Sequence, residues 1–163
     1  MRLSIISDIH DNLANLDKCL AWCGANGIEG LICAGDLTNA DTLDHLAKNF
    51  PHPIYLARGN ADNYDEKFIK NYQEVAYLSR DGGIAVIAGC RIGVCHEPFL
   101  IDNLLKRRPR IIFYGHTHAP WQENRNGADL VNPGTLGGIS QKATFAVYDT
   151  ASDGLELKIL ELL

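Results

Sequence analysis

A chain of 163 residues, 46% hydrophobic and 21% charged, has enough apolar material to bury one sizeable core, as an ordinary globular domain does. Its net charge of -5 excludes a general nucleic-acid coat and an anionic-membrane binder, since both need a positive surface. No apolar run approaches the roughly 20 residues of a membrane span, and the N-terminus enters an apolar segment without a signal-peptide pattern, so a cytoplasmic, reducing home is expected.

The elements follow from periodicity and punctuation. Residues 2–7 read as a first strand, and a helix over 12–25 places Leu13, Leu16, Leu20 and Cys23 on one face. Asp11 or Asn12 can cap it, and Gly24 and Gly27 end it. Residues 30–36 form a second strand. Leu43, Leu46, Ala47 and Phe50 give a second helix its apolar stripe, stopped by Pro51 and Pro53. The third strand, 54–57, runs into Arg58-Gly59-Asn60. This β-α-β-α-β order implies right-handed crossovers and a parallel sheet.

Beyond it the pattern changes. A short helix is expected at 64–70, then close-spaced strands at 74–79, 83–89 and 91–95, with Asp81-Gly82-Gly83 read as a hairpin turn. Residues 99–106 read as helical and 111–114 as a buried strand. The last third is β-rich, with strands at 120–125, 128–131, 143–149 and 155–162 and turns at Asn126-Gly127 and Asp153-Gly154. With no repeats and no linker, the expectation is one α/β domain over 1–163, a sandwich of two packed sheets with helices outside.

The cysteines, at positions 19, 23, 33, 90 and 95, are odd in number and none forms Cys-x-x-Cys, so they read as small buried hydrophobes. Trp22 and Trp121 read as core or edge packing. His45 and His52 read as surface residues, and the Lys106–Arg110 basic run as a solvated helix end.

The chemistry collects at strand ends. The first strand ends in Asp8-Ile9-His10, the second in Gly35-Asp36 and the third in Gly59-Asn60. Strand 91–95 ends in His96, and strand 111–114 in Gly115-His116-Thr117-His118. Ligands in α/β sheets bind in the crevice beyond the carboxyl ends of strands. Two solvated histidines would explain Gly-His-Thr-His alone, but not four of the six histidines placed this way. Seven donors suit two metal ions about 3.5–4 Å apart, with a shared carboxylate, and Asp36, on a central strand, is the natural bridge. Mixed imidazole, carboxylate and amide donors suit Mn, Fe, Zn, Co or Ni. A structural zinc would be closed and richer in Cys.

These motifs in this order, with Asn132-Pro133-Gly134-Thr135 after them, resemble the calcineurin-like metallophosphoesterases, and the small single-domain prokaryotic-type phosphodiesterase branch in particular. The resemblance runs from Ser7 to about Thr135. It implies the αββα sandwich of that family. It also implies two divalent transition metals, manganese foremost: Asp8, His10, Asp36 and His118 on the first, and Asp36, Asn60, His96 and His116 on the second. Asp36, Asn60 and His116 are then the catalytic set, and Asn12 and Arg58 the candidate substrate contacts. The implied reaction is hydrolysis of a small phosphoester, a diester before a monoester, by in-line attack of a hydroxide bridging the metals.

Three positions depart from the family pattern. A histidine that many members carry after Gly-Asn is Ala61, and loss of a positioned acid costs about 10²–10⁴ in rate. Pro98 stands where the branch has a second histidine after His96, which makes the second metal the expected site of weak occupancy. Asp11 replaces a glycine. The alternative is a catalytically idle scaffold on the same fold, as in the retromer subunit that resembles this family; ligand retention favours the enzyme. A homodimer through the β-rich C-terminal edges stays open.

Overall fold

The computed structural model describes all residues, Met1–Leu163. The first parallel units form as the periodicity predicts: β1 (Arg2–Ile6), α1 (Leu13–Ala25), β2 (Gly30–Cys33), α2 (Ala40–Asn49) and β3 (Ile54–Ala57). Asn12 caps α1 by accepting the Asn15 N–H, and the chain leaves the helix at Asn26 with Gly27 in the left-handed region. The second helix starts earlier than its apolar stripe suggests, because Asn39 supplies the cap. Then follow α3 (Glu66–Ile69), β4 (Val75–Ser79), β5 (Gly83–Ile87), β6 (Cys90–Val94), a 3₁₀ turn (Pro98–Leu100), α4 (Ile101–Leu105) and β7 (Ile111–Phe113). The chain closes with β8 (Trp121–Arg125), β9 (Ala128–Asn132), β10 (Thr144–Asp149), β11 (Gly154–Ile159) and a 3₁₀ turn (Leu160–Leu162).

Two mixed sheets result. The first has the order β11-β10-β1-β2-β3-β4, with β1 to β4 parallel and β10 and β11 each antiparallel to its predecessor in space. The second has the order β5-β6-β7-β9-β8, parallel at its centre and antiparallel at both edges. The main core, with Leu16, Leu43 and Phe145, lies between the first sheet and helices α1 and α2. A second, with Ile5, Ile92 and Phe113, fills the space between the sheets, and a third lies under α4 on the outer face of the second sheet. This is the expected αββα sandwich. No helix is long and apolar enough to cross a membrane.

Three expectations change. Asp81-Gly82-Gly83 is not a hairpin: β4 belongs to the first sheet and β5 to the second, so this turn carries the chain across the sandwich. The hairpin is the next one, β5–β6, through Ala88 and Gly89, both at positive φ (48° and 80°) as a two-residue turn of primed type requires. The last strand stops at Ile159 instead of 162, where Leu160 N–H reaches the Ala143 carbonyl and the chain turns. Trp121 is 59% exposed on the edge strand β8, while Trp22 packs edge-on against Phe145 as expected. The cysteines are all free, and all but Cys90 are buried.

Candidate metal centre

The seven strand-end donors come from both sheets. The carboxyl ends of β1, β2 and β3 bring Asp8, His10, Asp36 and Asn60. Those of β6 and β7 bring His96, His116 and His118. The turns that carry them are bonded to one another. Asp8 N–H donates to Gly35 O (3.0 Å), and His10 N–H to Asp36 O (3.1 Å). Close approach fixes two glycines: a Cβ on Gly115 would run into Ser7 Oγ and Asp8 Oδ2, and one on Gly59 into Asp36.

The carboxylates form the floor and the imidazoles the wall. Asp8 is fully buried and Asp36 is 3% exposed, whereas His116 and Asn60 stand exposed at the rim. Asp8 Oδ1 lies 3.2 Å from His118 Nε2 and 3.8 Å from His10 Nε2. Asp36 Oδ2 lies 3.8 Å from His10 Nε2 and 3.2 Å from His96 Nε2. Asp36 therefore touches members of both expected ligand sets. Two groups have ligand atoms close enough to share an ion: Asp8 with His10 and His118, and Asp8 with Asp36 and His96. At the rim, His116 Nδ1 and Asn60 Oδ1 are 2.8 Å apart.

The donors suit a cation. His96 Nδ1 lies 2.8 Å from the Ala34 carbonyl, which can only accept, so Nδ1 carries hydrogen and Nε2 presents a lone pair in the neutral ring. That Nε2 is buried and has no hydrogen-bond partner. His10 and His118 bring their Nε2 atoms within 3.2 Å of each other, a contact that needs a proton or a cation to link the two nitrogens. Burial pushes the Asp8 carboxyl above its ordinary value, against the pull of His96 and His118. Burial also pushes Asp36 upward, but His96, the Ala61 N–H and His10 outweigh it and hold Asp36 low. Burial lowers His96, yet Asp36 and Asp8 raise it overall. A buried floor crowded with acceptors and lone pairs is an arrangement that positive charge relieves.

Two bracing sets hold these turns, and spacing in sequence assigns a bracing role to neither. Asp62 is 6% exposed, and its carboxylate accepts the N–H groups of Thr38 (2.8 Å), Gly59 (2.8 Å) and Asp36 (3.2 Å), tying the second and third turns together. The segment 132–137 ties down the first and last turns. Asn132 Nδ2 donates to Gly115 O (2.8 Å) and Thr117 Oγ1 (3.0 Å), and Thr135 Oγ1 donates to Asp8 O (2.8 Å). The Asn-Pro-Gly-Thr motif could have pointed to the second set, and the acid after Gly-Asn-Ala to the first.

The candidate substrate contacts have structural partners. Asn12 uses Oδ1 to cap α1 and donates Nδ2 to Gly137 O (2.9 Å). Arg58 donates to Asp62 O (2.7 Å), lies 3.7 Å from Glu66 and stacks over Tyr64. Asp11, the departure from glycine, accepts from Thr42 Oγ1 (2.6 Å) and joins the first turn to α2. Pro98 opens the 3₁₀ turn after His96. His45 pairs with Asp17 (2.6 Å), away from the donor set.

An αββα sandwich with carboxylates and imidazoles gathered at the facing strand ends is a frame suited to holding metal ions. The chain belongs to the calcineurin-like phosphoesterase superfamily, whose domain model matches residues 1–153. It is 24% identical to phosphodiesterase MJ0936 of Methanocaldococcus jannaschii, with 99% of this chain and 100% of the relative covered. It is also 24% identical to phosphodiesterase YfcE of Escherichia coli strain K12, over 83% of this chain and 79% of the relative. Among solved structures, an archaeal phosphodiesterase superposes with a TM-score of 0.86 at 22% identity, covering 98% and 99% of the two chains. Vps29 of Entamoeba histolytica (D62A mutant) superposes with a TM-score of 0.71 at 16% identity, covering 97% of each. These superpositions establish the fold. Family membership makes divalent metal the expected cofactor.

Proposed function

We propose that residues 1–163 form one metallophosphoesterase domain that hydrolyses small phosphodiesters with two divalent transition metals. Asp8, His10, Asp36 and His118 hold the first ion, and Asp36, Asn60, His96 and His116 the second. When bound, the ions acidify water and neutralise charge on the phosphoryl oxygens. The observation that carries the reading is the buried, partnerless Nε2 of His96 beside Asp36, its tautomer set by Ala34 O.

The chain's own part is positioning. Asp62 and Asn132 hold the turns, so that the donors need little reorganisation as an ion enters. Asn60 and His116 present the exposed face to substrate. No proton donor occupies position 61, and Ala61 instead gives its N–H to Asp36 Oδ1 (2.8 Å). A leaving group must then depart without a side-chain acid there, which favours aryl over alkyl diesters.

Metal analysis followed by assay of bis(para-nitrophenyl) phosphate and para-nitrophenyl phosphate with added manganese tests this reading. Metal-dependent turnover, faster on the diester and much slower on alkyl diesters, is expected. A protein that binds both ions and turns over no phosphoester is instead the idle scaffold. Equal rates for aryl and alkyl diesters refute the role given to Ala61.

A further inference from the structure

The sandwich is closed on one side and open on the other. At the closed side the chain itself crosses from β4 to β5. At the open side lie the two free edges β8 and β11, with an apolar groove of about 250 Å³ between them, lined by Pro120, Trp121, Val131, Ala146, Leu155 and Leu157. Trp121 is 59% exposed and Leu157 45%. A free edge with apolar neighbours is a template for another strand.

The backbone of β11 shows which groups are free. Leu160 N–H donates to Ala143 O (2.9 Å), and the pairing of Thr144 with Ile159 continues that register along the strand. Hydrogen-bonded pairs alternate in an antiparallel ladder. Lys158 and Glu156 therefore turn their amides toward β10, while Ile159, Leu157 and Leu155 turn theirs outward. None of these three takes part in a backbone hydrogen bond outside the sheet ladders.

We propose that β11 pairs with β11 of a second copy of this chain, antiparallel and centred on Leu157. This goes beyond the hydrolytic reading and does not depend on it. In that register Leu157 opposes its own copy, and Leu155 opposes Ile159 of the other copy. Those are the residues with free outward amides, so every free group in the strand finds a partner. Side chains opposite one another share a face. Leu155 and Leu157 line the groove between the sheets, so their copies fall on the same side and the two open grooves meet, each with its Trp121. Glu156 and Lys158 lie on the other face, where they pair within one strand. Glu156 of each copy then opposes Lys158 of the other, giving two complementary charge pairs. The alternative edge fits less well. A β8 self-pair centred on Glu123 sets that carboxylate against its copy. Since β11 runs parallel to β1, the dyad points the two metal edges in opposite directions, and each site stays open.

Sedimentation equilibrium of the full chain, from low micromolar to submillimolar concentration, tests the proposal. The native chain is expected at twice its 17.9 kDa mass. Leu157→Pro removes an outward N–H that the β10 ladder does not use, so it keeps the fold, checked by circular dichroism, and sediments as a monomer. Glu156→Lys and Lys158→Glu each weaken the dimer, and the double exchange restores it. A monomeric native chain overturns the proposal. So does a Leu157→Pro variant that stays dimeric, which would place the interface elsewhere. Failure of the double exchange to restore what the folded single variants lose overturns the register. Mass is read without turnover, so an inactive protein leaves the result intact.

Discussion

The two ends of the same strands use left-handed backbone for different purposes. At the amino-terminal edge, Ala88-Gly89 and Asn126-Gly127 have positive φ because two-residue hairpins need it, and Arg110 there pairs with Asp153 (2.6 Å). At the carboxyl edge, Asp8, His10, Asp36, His116 and His118 have φ between 48° and 72° with no hairpin to make. There the conformation aims side chains into one crevice, where the buried His96 Nε2 has no hydrogen-bond partner. Strained backbone persists only where its surroundings fix it, and it clusters at functional sites. One edge serves the fold, and the other, the proposed metal edge, is braced by Asp62 and Asn132.

Variants at the two edges separate these purposes. The largest effect is expected from Asp36→Asn, which weakens both proposed sites. Steady-state assay should show turnover down by about three orders of magnitude or more, the scale of losing transition-state charge stabilisation. Its metal-free melting temperature should fall, since His96, the Ala61 N–H and His10 hold the Asp36 carboxyl below its ordinary value and the amide gives up that stabilisation. The converse is Phe145→Ala, which empties a fully buried position between α1 and the first sheet. Denaturant unfolding should lose about 3–5 kcal/mol, with metal stoichiometry unchanged by dialysis.

Asp62→Asn lies between the two. The amide cannot accept all three backbone N–H groups that the carboxylate holds, and an unmade buried hydrogen bond costs about 1–3 kcal/mol. Calorimetric titration should show a weaker second metal, with substrate KM little changed. Ala88→Gly is the smallest. A left-handed L-residue costs about 1–2 kcal/mol, so thermal melting should shift upward by roughly 2–4 °C per kcal/mol relieved, with activity unaffected.

How much was legible follows from how local each signal is. The β-α-β-α-β half could be read because its apolar runs, helical stripes and caps are written within a few residues. Its donors could be read because each directly follows a buried strand. Gly82-Gly83 misled because turning back within a sheet and crossing to another use the same residues; only the packing of β5 against the second sheet decides. Ala88 gave no signal, since alanine is not a turn former. Asp62 carries no signal of its own, because capturing three backbone N–H groups from two turns has no spacing in sequence. Asn12 and Arg58 suited a phosphate by residue type, and the fold gives both structural partners.

The carboxyl edge is proposed to hold two ions sharing Asp36. Equilibrium dialysis of the metal-stripped chain against manganese tests it most directly, comparing the native protein with His96→Ala. Two ions per native chain, the second weaker, and one retained tightly by His96→Ala are expected. A single ion in the native chain, or two undiminished ions in the variant, would contradict it.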